Sequence, residues 1–337
     1  MRAPAVFVVT ALALAACSAA PSDPGPSEET VARAASAIIN GELDTSHPAV
    51  VALILQEGQQ GGICSGIIVK VDAARRVGWV ATAAHCVDVP PVLVVQGEDF
   101  LAPDALRYEV LDYQADTRYT GQTGSSYDFA MVRIAGVDGS TPTTPFVSSP
   151  DGLASGTPVV SVGYGRTTLI GSGVQDENTK RRRVSRTLSQ VGGTQIGYNM
   201  QSAGICQGDS GGPVLVSTNS GERVAGIHSY VQGDCNGFGV SGRVTAGASF
   251  WNTQLAKAIP AEDCSMCEKI ANSGNGECAT LTRSCLADKE CGGFYDCLGQ
   301  CGGTASCRKS CLTKFPKAEG PFTAAATCVC SRACADK

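Results

Sequence analysis

The sequence predicts an all-β domain followed by a small cysteine-rich module, and three observations lead to this prediction. Glycine is abundant, with 40 residues in 337, and aromatic residues are scarce, which suits many tight turns. Short β-branched runs recur between turn residues through the middle of the chain, a spacing typical of a β-sandwich or β-barrel. Twelve of the 17 cysteines lie in the last part of the chain, from Cys264 onwards, and their density indicates a separate disulfide scaffold.

The N-terminal segment is expected to be an export signal followed by a tether. Residues 1–16 combine Arg2 with an apolar stretch too short to span a membrane, which is typical of a signal peptide. The stretch ends at Cys17 and resembles a bacterial lipobox, which predicts cleavage before Cys17 and a lipid on its thiol. Ordinary cleavage after Ala20 is the alternative. Residues 17–37 are rich in Ser, Pro, Ala and Glu, and they are predicted to be a lipidated tether and pro-segment.

Residues 38–259 carry the strand pattern. Apolar and β-branched runs separated by turn residues predict strands at 49–55, 77–81, 92–95, 129–134 and 159–162. One helix is predicted over 248–259, where the spacing places four apolar residues on one face: Phe250, Trp251, Leu255 and Ile259. Pro260 then ends the helical pattern, so the domain is expected to end there.

Residues 260–337 form the predicted cysteine-rich module. Cys297 and Cys301 are four residues apart, as are Cys307 and Cys311, so each pair lies one helical turn apart and short disulfide-linked helices are expected. A zinc module is the alternative, but an exported protein with an even number of remaining cysteines favours six disulfide bonds. The module is either a spacer or cap, or a module that binds an unknown partner.

Three short motifs in one order point to nucleophilic catalysis. Thr-Ala-Ala-His-Cys contains His85, Tyr-Asp-Phe-Ala-Met-Val contains Asp128, and Gly-Asp-Ser-Gly-Gly-Pro contains Ser210. A serine hydroxyl is a weak nucleophile near neutral pH and needs a base within hydrogen-bond reach. An imidazole can be that base, and a carboxylate can fix its tautomer and stabilise its charged form.

With these motifs, residues 38–259 resemble the trypsin/chymotrypsin family of serine proteases. The resemblance implies two six-stranded antiparallel β-barrels and an acyl-enzyme mechanism in which His85, Asp128 and Ser210 are the catalytic triad. Three other acids lack the apolar run that the family places after its aspartate: Asp104, Asp112 and Asp116. The backbone N–H groups of Gly208 and Ser210 are implied to form the oxyanion hole. Protein or peptide substrates are expected, with no cofactor and no metal.

The resemblance also extends to disulfide bonds and activation. It implies two bonds in this domain, Cys64–Cys86 and Cys206–Cys235. A further bond common in the family has no cysteines here, in the run 183–200. Ile38 begins a segment similar to the mature N-termini of family members. Cleavage before Ile38 would free an ammonium that pairs with Asp209. Removal of one partner from a buried ion pair of this kind is strongly destabilising, because it leaves the other charge without a partner.

Five residues are expected to form the pocket for the side chain that precedes the scissile bond: Gly204, Ser229, Tyr230, Val231 and Gly239. Gly204 carries no charge, so no preference for Arg or Lys is expected. Val231 stands where the family usually has glycine and should narrow the pocket, whereas Gly239 leaves room on the opposite wall. The pattern predicts small or medium aliphatic residues, selected loosely at about 1–3 kcal/mol per methylene.

The net charge of −5 gives no bulk attraction to nucleic acid, and the basic run 180–183 is predicted to be a solvated edge or loop. The chain is expected to be exported, either as a bacterial outer-membrane lipoprotein anchored through Cys17 or as a secreted protein. An active serine endopeptidase is the leading hypothesis. The alternative is a lipid-anchored binding protein with a catalytically silent protease-like domain.

Overall fold

The computed structural model of the protein describes Ile38, Cys334 and residues 41–58, 60–169, 178–200, 203–259, 264–301 and 305–329. The predicted signal peptide and tether, with Cys17, lie outside the described residues. Over the described part of the chain, strands occur up to Arg243 and α-helices occur from Ala248 onwards. None of the described helices is both long enough and apolar enough to cross a membrane.

A two-residue strand, β1 (Glu42–Leu43), precedes six strands that close into a barrel: β2 (Val50–Glu57), β3 (Gln60–Asp72), β4 (Val77–Thr82), β5 (Pro91–Gln96), β6 (Leu106–Ala115) and β7 (Ala130–Ala135). The strand order is β2-β3-β4-β7-β6-β5, and neighbouring strands are antiparallel. Every residue of β4 and β7 is buried. Burial on both faces explains why neither strand alternates apolar and polar residues, although the buried Arg133 interrupts the apolar run of β7. The predicted first barrel is therefore present.

The later strands form a second sheet that includes β1: β8 (Pro158–Gly163), β9 (Arg182–Thr187), β10 (Gln190–Val191), β11 (Gln195–Asn199), β12 (Pro213–Thr218), β13 (Gly221–Gln232) and β14 (Phe238–Arg243). The order is β1-β9-β8-β12-β13-β14-β11-β10. The second closed six-stranded barrel that the resemblance implied stays a prediction, because β1 and β10, at the two ends of this order, do not pair with each other within the described residues. The run that would close it is split, because β9 pairs with β8 while the two-residue β10 pairs only with β11. This split lies in the region that lacks the family's additional disulfide bond.

The C-terminal helix of this domain is α1 (Ala248–Ala256). It ends three residues earlier than predicted, because Lys257 leaves the helical conformation with ψ of 126°. Trp251 is almost fully buried, and its ring lies 5.0 Å from that of Phe129 and 4.8 Å from that of Phe146. The helix thus contributes Trp251 to an aromatic cluster that includes Phe129, the residue directly after Asp128.

Five more helices form the cysteine-rich module: α2 (Cys264–Asn272), α3 (Ala279–Ala287), α4 (Lys289–Gly299), α5 (Ala305–Lys314) and α6 (Glu319–Cys328). Five disulfide bonds join them: Cys267–Cys334, Cys278–Cys328, Cys285–Cys291, Cys297–Cys311 and Cys301–Cys307. Sulfurs in disulfide bonds are not the thiolates that zinc requires, so the zinc alternative is wrong for these ten cysteines. The sixth predicted bond falls on Cys264 and Cys330, outside the described side chains.

The module packs directly on the first barrel. The N–H of Glu109 in β6 donates to Ser273 Oγ at 2.8 Å, just after α2. Met266 of α2 belongs to the same buried apolar cluster as the barrel core. Gly136 and Gly274 lie at this contact. A Cβ on Gly136 would lie within 2.6 Å of Ser273, and a Cβ on Gly274 would lie 2.6 Å from the carbonyl oxygen of Gly136. Since Gly136 follows the last residue of β7 and Asp128 precedes the first, the module binds at the opposite end of β7 from Asp128.

Candidate active site

His85 and Asp128 lie next to the ends of two adjacent strands of the barrel. His85 lies in a short 3-10 helix, Ala84–Val87, directly after β4, and a disulfide bond between Cys64 and Cys86 fixes this turn to β3. Asp128 lies two residues before β7, which pairs with β4. The pairing of the two strands brings their ends together, so the imidazole and the carboxylate meet although 43 residues separate them.

The carboxylate of Asp128 is almost fully buried and holds His85 in one orientation. His85 Nδ1 lies 2.8 Å from Asp128 Oδ2, and the backbone N–H of His85 donates to Oδ1 at 3.1 Å. Ser229, which belongs to β13 of the second sheet, donates from its Oγ atom to Oδ2 of Asp128 at 2.5 Å. With the proton on Nδ1, the Nε2 atom of His85 is left to accept a proton from another group.

The two pKa values are shifted in opposite directions by this contact. Burial alone would lower the pKa of His85, but the hydrogen bond and the negative charge of Asp128 raise it above its ordinary value. Burial alone would raise the pKa of Asp128, but the bonds from His85 and Ser229 hold it below its ordinary value. Asp128 therefore stays ionised wherever His85 titrates, as an orienting carboxylate must.

The other three acids considered for the role of Asp128 do not contact His85 in the described structure. Asp112 forms an ion pair with the buried Arg133, and Asp116 forms one with Arg118 at 2.5 Å. Asp104 is exposed. Their positions support the choice of Asp128 that the sequence motif predicted.

Ser210 lies on the loop before β12, and this loop packs against the turn that leads to His85. A Cβ on Gly211 would lie 2.0 Å from Thr82 Oγ1 and 3.0 Å from the backbone nitrogen of Ala83, so only glycine permits this approach. The N–H of Ser65 donates to the carbonyl of Ser210 at 2.8 Å, which ties the loop to β3. Within the described chain, Ser210 Oγ makes no hydrogen bond; such bonds often form only when substrate is present.

The backbone around Gly208 leaves two donors unused. Gly208 has φ of +94° and lies so close to Gly165 that its Cβ would be 2.9 Å from that Cα atom. Its carbonyl accepts from Ser65 Oγ at 2.8 Å, and the N–H of Arg166 donates to the carbonyl of Gln207, also at 2.8 Å. The N–H groups of Gly208 and Ser210 donate to no acceptor in the described part of the protein. They can therefore both bind an oxygen that acquires negative charge.

Asp209 and Ile38 are both fully buried. The carboxylate of Asp209 accepts the N–H of Gly165 at 2.8 Å and that of Cys206 at 2.9 Å. A Cβ on Gly165 would lie 2.4 Å from the Asp209 carboxyl group, so this glycine makes room for it. The bonds join Asp209 to both segments that flank the unused donors.

A cavity of about 160 Å³ opens beside Ser210. It is lined by Ile205, Cys206, Gln207, Ser210, His228, Ser229, Tyr230 and Val231. The three predicted residues on β13 therefore line it, and the disulfide bond Cys206–Cys235 braces one wall. Gly204 and Gly239 are not among its lining residues. Sequence motifs did not identify Ile205 and Gln207, although both lie within five residues of Ser210.

A larger cavity of about 500 Å³ continues on the other side of Tyr230. Its lining is rich in side-chain amides and hydroxyls: Gln190, Thr194, Gln195 and Gln232. The two cavities share only Tyr230 among these residues. The larger cavity thus adjoins, at Tyr230, the cavity beside Ser210.

Comparison with known proteins finds a matching family and several similar sequences. Residues 38–251 match the protein family described as Trypsin. Vitamin K-dependent protein C of Oryctolagus cuniculus is 25% identical over 236 residues, covering 62% of this chain and 50% of that protein. Chymotrypsin-like elastase family member 1 of Macaca fascicularis is 30% identical over 205 residues, covering 55% of this chain and 75% of that protein. The chain spans about half the length of the protein C relatives that it matches.

Proposed function

The chain belongs to the trypsin family, and from this premise we propose that it is a serine endopeptidase that hydrolyses peptide bonds through an acyl-enzyme. The observation that carries the proposal is the ionised, buried Asp128 holding His85 beside the loop of Ser210. Protein or peptide substrates are proposed because the family's members named above are proteases. The seven disulfide bonds of the described residues indicate an oxidising, extracellular setting.

In the proposed mechanism, Nε2 of His85 takes the proton of Ser210 as the hydroxyl attacks the substrate carbonyl. The N–H groups of Gly208 and Ser210 bind the resulting oxyanion. Removal of one such donor costs roughly 3–4 kcal/mol of transition-state stabilisation. His85 then protonates the leaving amine, and a water molecule repeats the sequence on the acyl-enzyme to restore Ser210.

The proposed preference is for small or medium aliphatic residues before the scissile bond. The lining of the 160 Å³ cavity supports it, because no residue of that lining carries a full charge at neutral pH. Arg and Lys would lose their hydration there without gaining an ionic partner. Val231, Ile205 and Tyr230 offer apolar contact instead.

Ser210→Ala is expected to reduce kcat by about 10⁵–10⁶-fold on a peptide library while the fold is retained, because loss of the nucleophile removes the covalent step. Turnover of the library and covalent labelling by a fluorophosphonate measure this effect. Ser217→Ala, at an exposed position of β12, is the matched control and should keep both signals.

If wild-type protein that has been processed to begin at Ile38 is neither labelled nor active, the proposed function is wrong, and the lipid-anchored binding protein becomes the better account. If Ser210→Ala remains within about tenfold of wild type, Ser210 is not the nucleophile.

A further inference from the structure

Gly204 and Gly239 were both predicted to form the pocket, and the space that a side chain at either position would take is filled by Met200. Met200 is fully buried. Its Cγ and Sδ atoms both lie 2.6 Å from the position that a Cβ on Gly204 would take, and Sδ lies 2.9 Å from the corresponding position on Gly239. Real Cβ atoms are not found at such distances, so Met200 can occupy this place only because both residues are glycine.

Strand geometry explains how Met200 reaches this place. It follows β11 directly, and its N–H donates to the carbonyl of Gly237 at 2.9 Å, which continues the ladder between β11 and β14. Side chains two residues apart in a strand share a face, so Met200 lies on the same face as Tyr198. Tyr198 contacts Gly239 as well, with Cε2 2.6 Å from the position of a Cβ there.

The two glycines connect Met200 to the cavity beside Ser210. Gly204 immediately precedes Ile205, and Gly239 pairs with Val231 across the ladder between β13 and β14. Ile205 and Val231 both line the cavity, whereas the glycines themselves do not. Met200 thus packs against two glycines that adjoin lining residues of the cavity, although Met200 itself is not a lining residue.

We propose that Met200 forms the floor of the specificity pocket and restricts the residue before the scissile bond to small side chains, alanine and valine above all. This inference rests on the proposed function, because it requires the cavity beside Ser210 to receive that side chain. Two apolar groups then set the size limit, Val231 at the wall and Met200 at the floor. The ring of phenylalanine would have to displace a fully buried thioether, so phenylalanine is excluded.

The test uses peptide substrates that differ only in the residue before the scissile bond: alanine, valine, leucine or phenylalanine. Wild type is expected to cleave the alanine and valine peptides best. Met200→Ala is expected to raise the ratio of kcat/KM for phenylalanine to that for alanine by at least tenfold, since a single methylene in an apolar pocket already changes selectivity by roughly 10–200-fold.

Two variants control for loss of core packing. Met131→Ala removes the same atoms from an almost equally buried methionine in β7 of the first barrel, and should leave the ratio unchanged. Met200→Leu keeps most of the side-chain volume and should retain the wild-type ratio. If Met200→Ala does not fold, as judged by near-UV circular dichroism, Met200→Val provides the comparison, with an expected increase of about threefold or more.

An unchanged ratio in folded Met200→Ala would overturn the inference and leave Met200 as an ordinary core residue of the second sheet. That result differs from a failure of the proposed function. In the first case wild type is labelled by a fluorophosphonate and cleaves peptides; in the second it does neither.

Discussion

At the scale of single residues, the site contains two histidines whose pKa values are shifted in opposite directions. The ring of His85 is partly exposed, and its partner Asp128 raises its pKa. His228 is fully buried in β13, with Nδ1 3.1 Å from both Tyr198 Oη and Ser241 Oγ. Burial lowers the pKa of His228 to about 3, and it therefore stays neutral where His85 can exchange protons. Burial and the nearest charge, and not residue type, separate the two roles.

The buried His228 should make the protein sensitive to acid. Its folded pKa of about 3 lies below the ordinary value of 6.5, so between these values the unfolded chain binds a proton that the native protein does not. Stability therefore falls as the pH is lowered through this window, by at most about 1.4 kcal/mol per pH unit for one group. His228→Gln keeps an amide for Tyr198 and Ser241 but cannot titrate. When the pH is lowered from 6.5 to 4.5, the free energy of unfolding of His228→Gln is expected to fall by about 2 kcal/mol less than that of the protein that retains His228.

Urea unfolding at the two pH values measures this difference, with Ser210→Ala as the parent to prevent self-digestion. His85→Gln is the control. The raised pKa of His85 contributes stability below its unfolded pKa that is lost as the pH rises, which is the opposite sign. Equal acid losses in His228→Gln and the parent would show that His228 does not remain neutral on folding.

At the scale of elements, the contact between α2 and β6 decides how the cysteine-rich module is held. The N–H of Gly274 donates to the carbonyl of Arg107 at 2.7 Å, and Lys269 Nζ donates to the carbonyl of Val110, also at 2.7 Å. Both carbonyls belong to β6, so the module's polar groups bond to the backbone of the barrel. A helix and the turn after it thus cover part of β6, a strand that pairs with both β5 and β7 in the closed barrel.

Gly274→Ala is expected to weaken this contact strongly. Gly274 has φ of +51°, and a Cβ there would lie 2.4 Å from Tyr108 and 2.6 Å from the carbonyl of Gly136. The substitution therefore adds overpacking, roughly 1–3 kcal/mol, to the strain of a left-handed backbone. Gly152→Ala is the matched control, because Gly152 has φ of +66° but nothing within 4 Å of the Cβ position.

Thermal unfolding of both variants separates packing from backbone strain. Gly274→Ala should be less stable than Gly152→Ala by about 2 kcal/mol. If the two variants lose the same stability, the module does not pack on the barrel in solution as it does here.

At the scale of the whole molecule, the candidate site forms only where the two sheets meet. His85 and Asp128 come from the barrel, whereas Ser210 and the donors around Gly208 come from the second sheet. Ser65 of β3 bonds to the carbonyls of both Ser210 and Gly208 and so joins the two halves. Neither half carries a complete site by itself.

Activation is predicted to act on the whole molecule by cleavage of the bond before Ile38. That bond joins it to Ala37, which lies outside the described residues, and a pocket for small side chains would accept alanine. The active wild-type protein is expected to begin at Ile38, and Ser210→Ala made without other proteases is expected to keep the longer N-terminus. N-terminal sequencing of both proteins measures the outcome.

Arg33→Gln is the control, because a foreign trypsin-like enzyme would cut at Arg33 instead. It should be processed like wild type. An active form that begins elsewhere would contradict activation at Ile38, and normal processing of Ser210→Ala would contradict self-cleavage. If Cys17 carries a lipid, the same cut would release the catalytic domain, since no cysteine lies between Cys17 and Ile38.

The sequence by itself determined what depends on short motifs: the family, the closed first barrel, and the disulfide pairs Cys64–Cys86 and Cys206–Cys235. Such motifs keep their meaning because each needs only a few neighbouring residues in a fixed order. Tertiary structure alone decided the strand order of the second sheet, the packing of the module on β6 and the place of Met200. Those features arise from contacts between distant segments, and one-residue changes in strand pairing or a missing Cβ decide them. No local pattern records that Gly204 and Gly239 admit the side chain of Met200 between them.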